Sequence, residues 1–134
     1  MDYDAPLKAT AAMFEGGNVN AMGCAALEAS LDCILSLGVA AIWRHVNALH
    51  DRLEPALERR GLKSLRAKDL ARRSCTLSLS PASDADLVKL GKGLGERGVA
   101  CATPDGILRF SPHWHSSPDE IGVIVSAIDE VLGA

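Results

Sequence analysis

The sequence predicts an α+β fold: a small, mostly antiparallel sheet packed against helices. Three observations predict it. Apolar residues recur at three- and four-residue steps in long stretches bounded by helix caps. Short stretches between them alternate apolar and polar residues with a period of two. The order is helix, helix, strand, strand, helix, strand, strand, helix, which places helices against one face of an antiparallel sheet.

The first stretch, residues 1–19, has no clean period. Pro6, Gly16 and Gly17 interrupt any helix, so an extended arm is expected there, followed by a single domain over 20–134. Asn20 is suited to cap a helix running from about Ala21 to Leu37. Its apolar residues, among them Met22, Leu27, Leu31, Ile34 and Leu35, wrap most of its surface, which predicts burial on several sides. Gly38 ends it. A second helix runs from about Ala40 to Arg60. Ile42, Val46, Leu49, Leu53 and Leu57 form its inner stripe, Asp51, Glu54 and Glu58 belong to a solvated face, and Pro55 removes a hydrogen bond or kinks it. Leu62–Leu65 and Thr76–Ser80 read as strands. The run Arg66–Arg73 between them reads as a basic surface connection.

Ser83-x-x-Asp86 resembles a helix start, and the helix continues to about Arg97. Its Gly91-Lys92-Gly93-Leu94-Gly95 run falls late in a helix, the wrong place for a phosphate loop; small residues on a close-packed face are expected instead. Val99–Ala102 and Ile107–Ser111 are expected to pair as a hairpin across Asp105-Gly106. Ser117-Pro118-Asp119-Glu120 carries a Ser cap, an early proline and a capping-box Glu, and so opens the last helix.

Apolar residues make up 48% of the 134 residues, enough for a core, while aromatics are only 4%, so that core is aliphatic. The net charge of −3 argues against nucleic-acid binding, which needs a basic face. No apolar run is long enough to span a membrane, and Met1-Asp2-Tyr3-Asp4 does not resemble a signal peptide. The cytoplasm is the expected compartment, with neither nucleic acid nor membrane as partner. Cys24, Cys33, Cys75 and Cys101 show no metal-ligand spacing. His113-Trp114-His115 has no third ligand nearby, so no metal is expected.

Two polar positions remain. Glu15-Gly16-Gly17-Asn18-Val19-Asn20 lies at the mouth of a helix, where free N–H groups favour an anion. Simple capping explains it equally well. Arg109 interrupts an apolar strand, Gly106-Ile107-Leu108-Arg109-Phe110-Ser111. A desolvated arginine needs an anion, and its planar fork suits a carboxylate. It is either half of an internal ion pair or the receptor for a small carboxylate.

Phe14-Glu15-Gly16-Gly17-Asn18-Val19-Asn20 before an Ala-rich helix, and Leu108-Arg109-Phe110-Ser111-Pro112-His113 before a capping-box helix, resemble the C-terminal part of class V aminotransferases. This is the pyridoxal-phosphate (PLP) family that includes cysteine desulfurases, selenocysteine lyases and isopenicillin-epimerase-like proteins. The resemblance runs from about Met13 to Leu132. It implies the C-terminal domain fold of fold-type I PLP enzymes, a dimer or partner chain, an amino-acid substrate, and Arg109 as the receptor of the substrate α-carboxylate. It also implies a phosphate contact at Gly17 and Asn18, although Asn18 stands where the family has threonine and Val19 where it has proline.

The family's cofactor-binding lysine lies in a large domain preceding this part. Lys8, Lys63, Lys68, Lys89 and Lys92 match no such position, so PLP is implied by the family but not expected to bind this chain covalently, and no catalytic residue is expected in it. Thr103-Pro104-Asp105-Gly106 is a tight connection where desulfurases carry a long cysteine-bearing loop, which favours an aminotransferase or epimerase-like relative. Two other functions fit the sequence: a degenerate remnant serving as an interaction or oligomerisation module, and a small domain binding a free carboxylate.

Overall fold

The computed structural model describes residues 6, 8–81 and 87–133. They form four α-helices and a three-stranded antiparallel sheet, an α+β fold. The chain divides into two compact units, Met1–Ser36 and Leu37–Ala134.

The first unit holds a short 3-10 turn, Ala11–Phe14, and nearly all of helix α1, Ala21–Leu37. The turn replaces part of the extended arm expected there. Asn20 caps α1 as its sequence suggests: its Oδ1 accepts a hydrogen bond from the Gly23 N–H at 2.9 Å. The expected burial of α1 is not found. None of its residues is buried, and Met22 and Leu35 are 86% and 71% exposed. Apolar residues all round a helix require packing on several sides, and among its described residues the Met1–Ser36 unit has no second long element to supply it. Cys24 and Cys33 are exposed on the same helix.

The second unit is built on helix α2, Val39–Glu58. Gly38, at φ 82°, takes the left-handed backbone that precedes it. Of the stripe read from the sequence, Val46, Leu49, Leu53 and Leu57 lie in the interior, while Ile42 is only half-buried. The helix continues through Pro55. Strands β1 (Leu62–Ser64), β2 (Leu77–Pro81) and β3 (Leu108–Phe110) lie in the order β1-β2-β3. Leu77 pairs with Phe110, Ser78 with Arg109 and Leu79 with Leu108, while Lys63 pairs with Ser80.

Alternation along the strands sends Leu62, Leu77, Leu79, Leu108 and Phe110 to one face. There they meet α2, helix α3 (Leu87–Glu96) and helix α4 (Glu120–Leu132), through Leu53, Leu57, Leu90, Leu94, Ala127 and Ile128. The core is thus aliphatic apart from Phe110. The expected start of α3 at Ser83 lies outside the described residues. Val99–Ala102 does not form the expected strand: only Ala102 bridges to Arg109. Pro104–Gly106 closes as a 3-10 turn, with Asp105 at φ 52°, and this turn limits the pairing to one bridge.

The small residues of α3 act as packing surfaces. A Cβ on Gly91 would lie 2.7 Å from Thr103 Cγ2, and one on Gly93 would lie 2.9 Å from Val131 Cγ2. At the start of α4 half of the expected capping box forms: Glu120 Oε2 accepts from the Ser117 N–H at 3.3 Å, but Ser117 Oγ accepts from the Asp119 N–H at 3.2 Å rather than from Glu120, and the helix proper begins at Glu120. Arg60, after α2, forms an ion pair with Asp129 on α4. That bond holds the Asp129 carboxyl below its usual range, against a smaller opposing effect of burial. Among the described residues no single helix is long and apolar enough to cross a membrane.

Candidate functional site

Leu108 and Phe110 turn into the core, so Arg109 between them turns outward and is exposed. The desolvated setting expected from its apolar neighbours is therefore corrected by simple alternation. Its backbone is held firmly: the Arg109 N–H donates to Ala102 O at 2.8 Å, and Ala102 N–H donates to Arg109 O at 3.0 Å. No ion pair among the described residues involves its guanidinium. Of the two readings the sequence left open, the internal ion pair is absent among these residues. A rigid strand thus carries a bidentate cation, unpaired among the described residues, on the face of the sheet opposite α2, α3 and α4.

The buried arginine is Arg66, in the connection read as a basic surface loop. Its side chain is 2% exposed. It donates to Asp51 Oδ1 at 2.6 Å, Glu54 Oε2 at 2.8 Å and Asn47 Oδ1 at 2.7 Å. Burial pushes the Glu54 carboxyl up, but hydrogen bonds from Ser64 and Arg66 outweigh it and hold the carboxyl below its usual range. Arg73 reaches Asp51 at 3.4 Å and donates from Nε to Ala67 O at 3.0 Å. Two arginines of the run therefore fold back onto α2, and Asp51 and Glu54, expected on a solvated face, receive them. Spacing alone gave no sign of this, because the partners lie 12 and 15 residues upstream.

Next to this cluster, sequence reasoning missed His50. It is fully buried, and neither ring nitrogen has a hydrogen-bond partner. Burial first, then the nearby Arg66 guanidinium, lowers its pKa from 6.5 to about 4, while Glu54 and Asp51 pull weakly the other way. His50 is thus a neutral imidazole at neutral pH. It sits on the wall of a cavity of about 400 Å³ with Phe110, Pro112, Ser116 and Glu120. Phe110 belongs to the helix-covered face of the sheet, so this cavity and Arg109 lie on opposite faces.

Gly17 and Asn18 are exposed in the Met1–Ser36 unit, and nothing lies within 4 Å of a Cβ placed on Gly17. Arg109 belongs to the other unit. His113, Trp114 and His115 form an exposed ring cluster, with His113 and His115 stacked at 5.8 Å and Trp114 edge-on to His115 at 5.4 Å. Nearby, His45 Nε2 is 2.9 Å from Ser116 O. Among the described residues no three His, Cys, Asp or Glu side chains gather as a metal site. Cys101, half-buried beside Gly91 O, has its thiol pushed up by burial, the opposite of nucleophilic activation.

The lining of the cavity does not fit PLP. No lysine lines the cavity, and PLP chemistry needs a lysine and a partner for the pyridine nitrogen.

An open antiparallel sheet backed by helices, with one exposed arginine that is unpaired among the described residues, makes this an α+β domain. The family model described as Aminotransferase class-V matches residues 2–114. The chain therefore belongs to the class V aminotransferase family. Both Gly17-Asn18 and Arg109 fall inside the match, whereas α4 lies beyond it. No curated protein matches the chain.

Proposed function

We propose that this chain is the C-terminal part of a class V PLP-dependent enzyme acting on an amino acid. Arg109 holds the substrate α-carboxylate. The cofactor, when bound, supplies the electron sink of the reaction, and a large domain outside this chain carries its lysine. Gly17 and Asn18 contribute to the phosphate contact. The chain by itself is inert. The observation that carries this reading is the guanidinium of Arg109, fixed on a strand and free of any ion pair among the described residues. Family membership supports the cofactor class.

Nuclear magnetic resonance titration of the labelled chain with amino acids tests it. Amides around Arg109 shift on addition, and Arg109→Ala weakens the binding by up to about five-fold. In the open sheet the contact is solvated and contributes about 1 kcal/mol or less. Enclosed by a large domain, the same contact contributes about 2–5 kcal/mol. Amino-acid binding that is indifferent to Arg109→Ala removes the role. Treating the chain with PLP and borohydride checks its inertness: one specific modified lysine contradicts it.

The exposure of α1 favours a second reading, an interaction or oligomerisation module. Met22, Leu27, Leu31 and Leu35 are all exposed, and an apolar surface of this kind seeks a partner. Light scattering distinguishes the readings: a clean monomer that binds no apolar dye counts against this one.

A further inference from the structure

The uncovered face of the sheet carries more than Arg109. Paired residues of an antiparallel sheet point the same way. Lys63 pairs with Ser80 and Ser78 pairs with Arg109, so these four share the face opposite Leu62, Leu77, Leu79 and Leu108. The face thus holds a cation on each outer strand and two hydroxyls on the central strand, with no carboxylate among its strand residues. Lys63 is exposed and, like Arg109, has no ion pair among the described residues. Among the described residues, the arginine–carboxylate pairs of the unit are made elsewhere, through Arg60, Arg66, Arg73 and Arg97.

The register fixes the spacing. Lys63 and Arg109 are two strands apart and offset by two residues along β2, which separates their Cα atoms by about 12 Å. Both side chains are long and flexible, and Ser78 and Ser80 lie on the strand between them. One compact anion would have to draw both heads to a single point. A two-headed acid can engage each cation separately, without bringing the two heads together.

We propose that the uncovered sheet face selects an acid with two anionic groups, Arg109 taking the α-carboxylate and Lys63 the distal one. The substrate class is then a dicarboxylic amino acid or its keto acid. Ser78 and Ser80 line the path between the heads and can hydrogen-bond either carboxylate. This inference rests on the carboxylate role of Arg109 proposed above, and adds Lys63 as the residue that sets specificity.

The test compares glutamate with glutamine, which match in shape and differ in the distal charge, on the labelled full chain at low ionic strength, where surface charges are least screened. Glutamate is expected to bind about two- to five-fold more tightly, as one solvated ion pair allows, and to shift the Lys63 and Ser80 amides as well as those near Arg109. Lys63→Gln, a change at an exposed position, is expected to equalise the two ligands and leave glutamine binding unchanged. Arg109→Ala is expected to weaken both, by up to about five-fold. Equal binding of glutamate and glutamine to the unaltered chain, or a preference that survives Lys63→Gln, overturns the inference while Arg109 keeps its role. Absence of any Arg109-dependent binding overturns both. Inorganic phosphate that needs both cations and displaces glutamate with equal affinity also overturns it, because a single compact anion then suffices.

Discussion

Replacing His50 with leucine tests how the interior tolerates a polar group without a partner. The folded chain holds the imidazole neutral down to about pH 4, whereas its ordinary value is 6.5. Between these values the unfolded chain binds a proton that the folded chain does not, so stability rises with pH across this window. Above about pH 6.5 the group costs nothing by linkage; as pH falls to about 4 the loss grows to about 3 kcal/mol, at 1.36 kcal/mol per unit. His50→Leu removes this dependence. It also removes two buried, unbonded nitrogens, which is expected to stabilise the chain by about 1–3 kcal/mol at neutral pH. Urea unfolding, followed by tryptophan fluorescence at about pH 7 and about pH 4.5, measures both effects. The advantage of the variant should widen as pH falls. The carboxylates held low, Glu54 and Asp129, act at lower pH and are common to both proteins. An advantage of equal size at the two pH values refutes the claim that burial keeps His50 neutral.

Arg66→Ala should destabilise the second unit by about 2 kcal/mol. That is below the 3–5 kcal/mol of fully buried pairs, because Asp51 stays 57% exposed and can rehydrate; denaturant midpoints report it. Gly91→Ala and Gly95→Ala should move stability in opposite directions. The first drives a Cβ against Thr103, whereas the second meets nothing within 4 Å, so Gly91→Ala costs about 1 kcal/mol and Gly95→Ala gains about 0.5–1 kcal/mol from helix propensity, as thermal melts will show. Arg109→Ala should change stability by less than about 0.5 kcal/mol, since its side chain is exposed and unpaired; a larger loss in the same melts marks it as structural.

Periodicity carried most of the fold. The α2 stripe and the cap at Asn20 depend on neighbours three or four residues away and appear where their spacing placed them, while of the capping box at Ser117 only the Glu120 half forms. The failures have another origin. Whether α1 is buried depends on what lies beside it, and composition records only its appetite for burial. Arg66 and Arg109 exchanged environments for the same reason. Alternation turns Arg109 outward although its neighbours are apolar, and a turn of the β1–β2 connection brings Arg66 onto Asp51 and Glu54. The family resemblance rested on two short motifs that local chemistry alone left ambiguous. His50 stood in plain view in the sequence, yet only tertiary packing leaves both its nitrogens without a partner.

The all-round exposure of α1 also governs how the chain behaves in air. Cys24 and Cys33 are both exposed on it, nine positions apart. At about 3.6 residues per turn this places the two thiols half a turn from each other, on opposite sides of the helix. A disulfide formed through one of them leaves the other facing away, ready for a third chain. Oxidation therefore builds open-ended strings of chains rather than closed pairs.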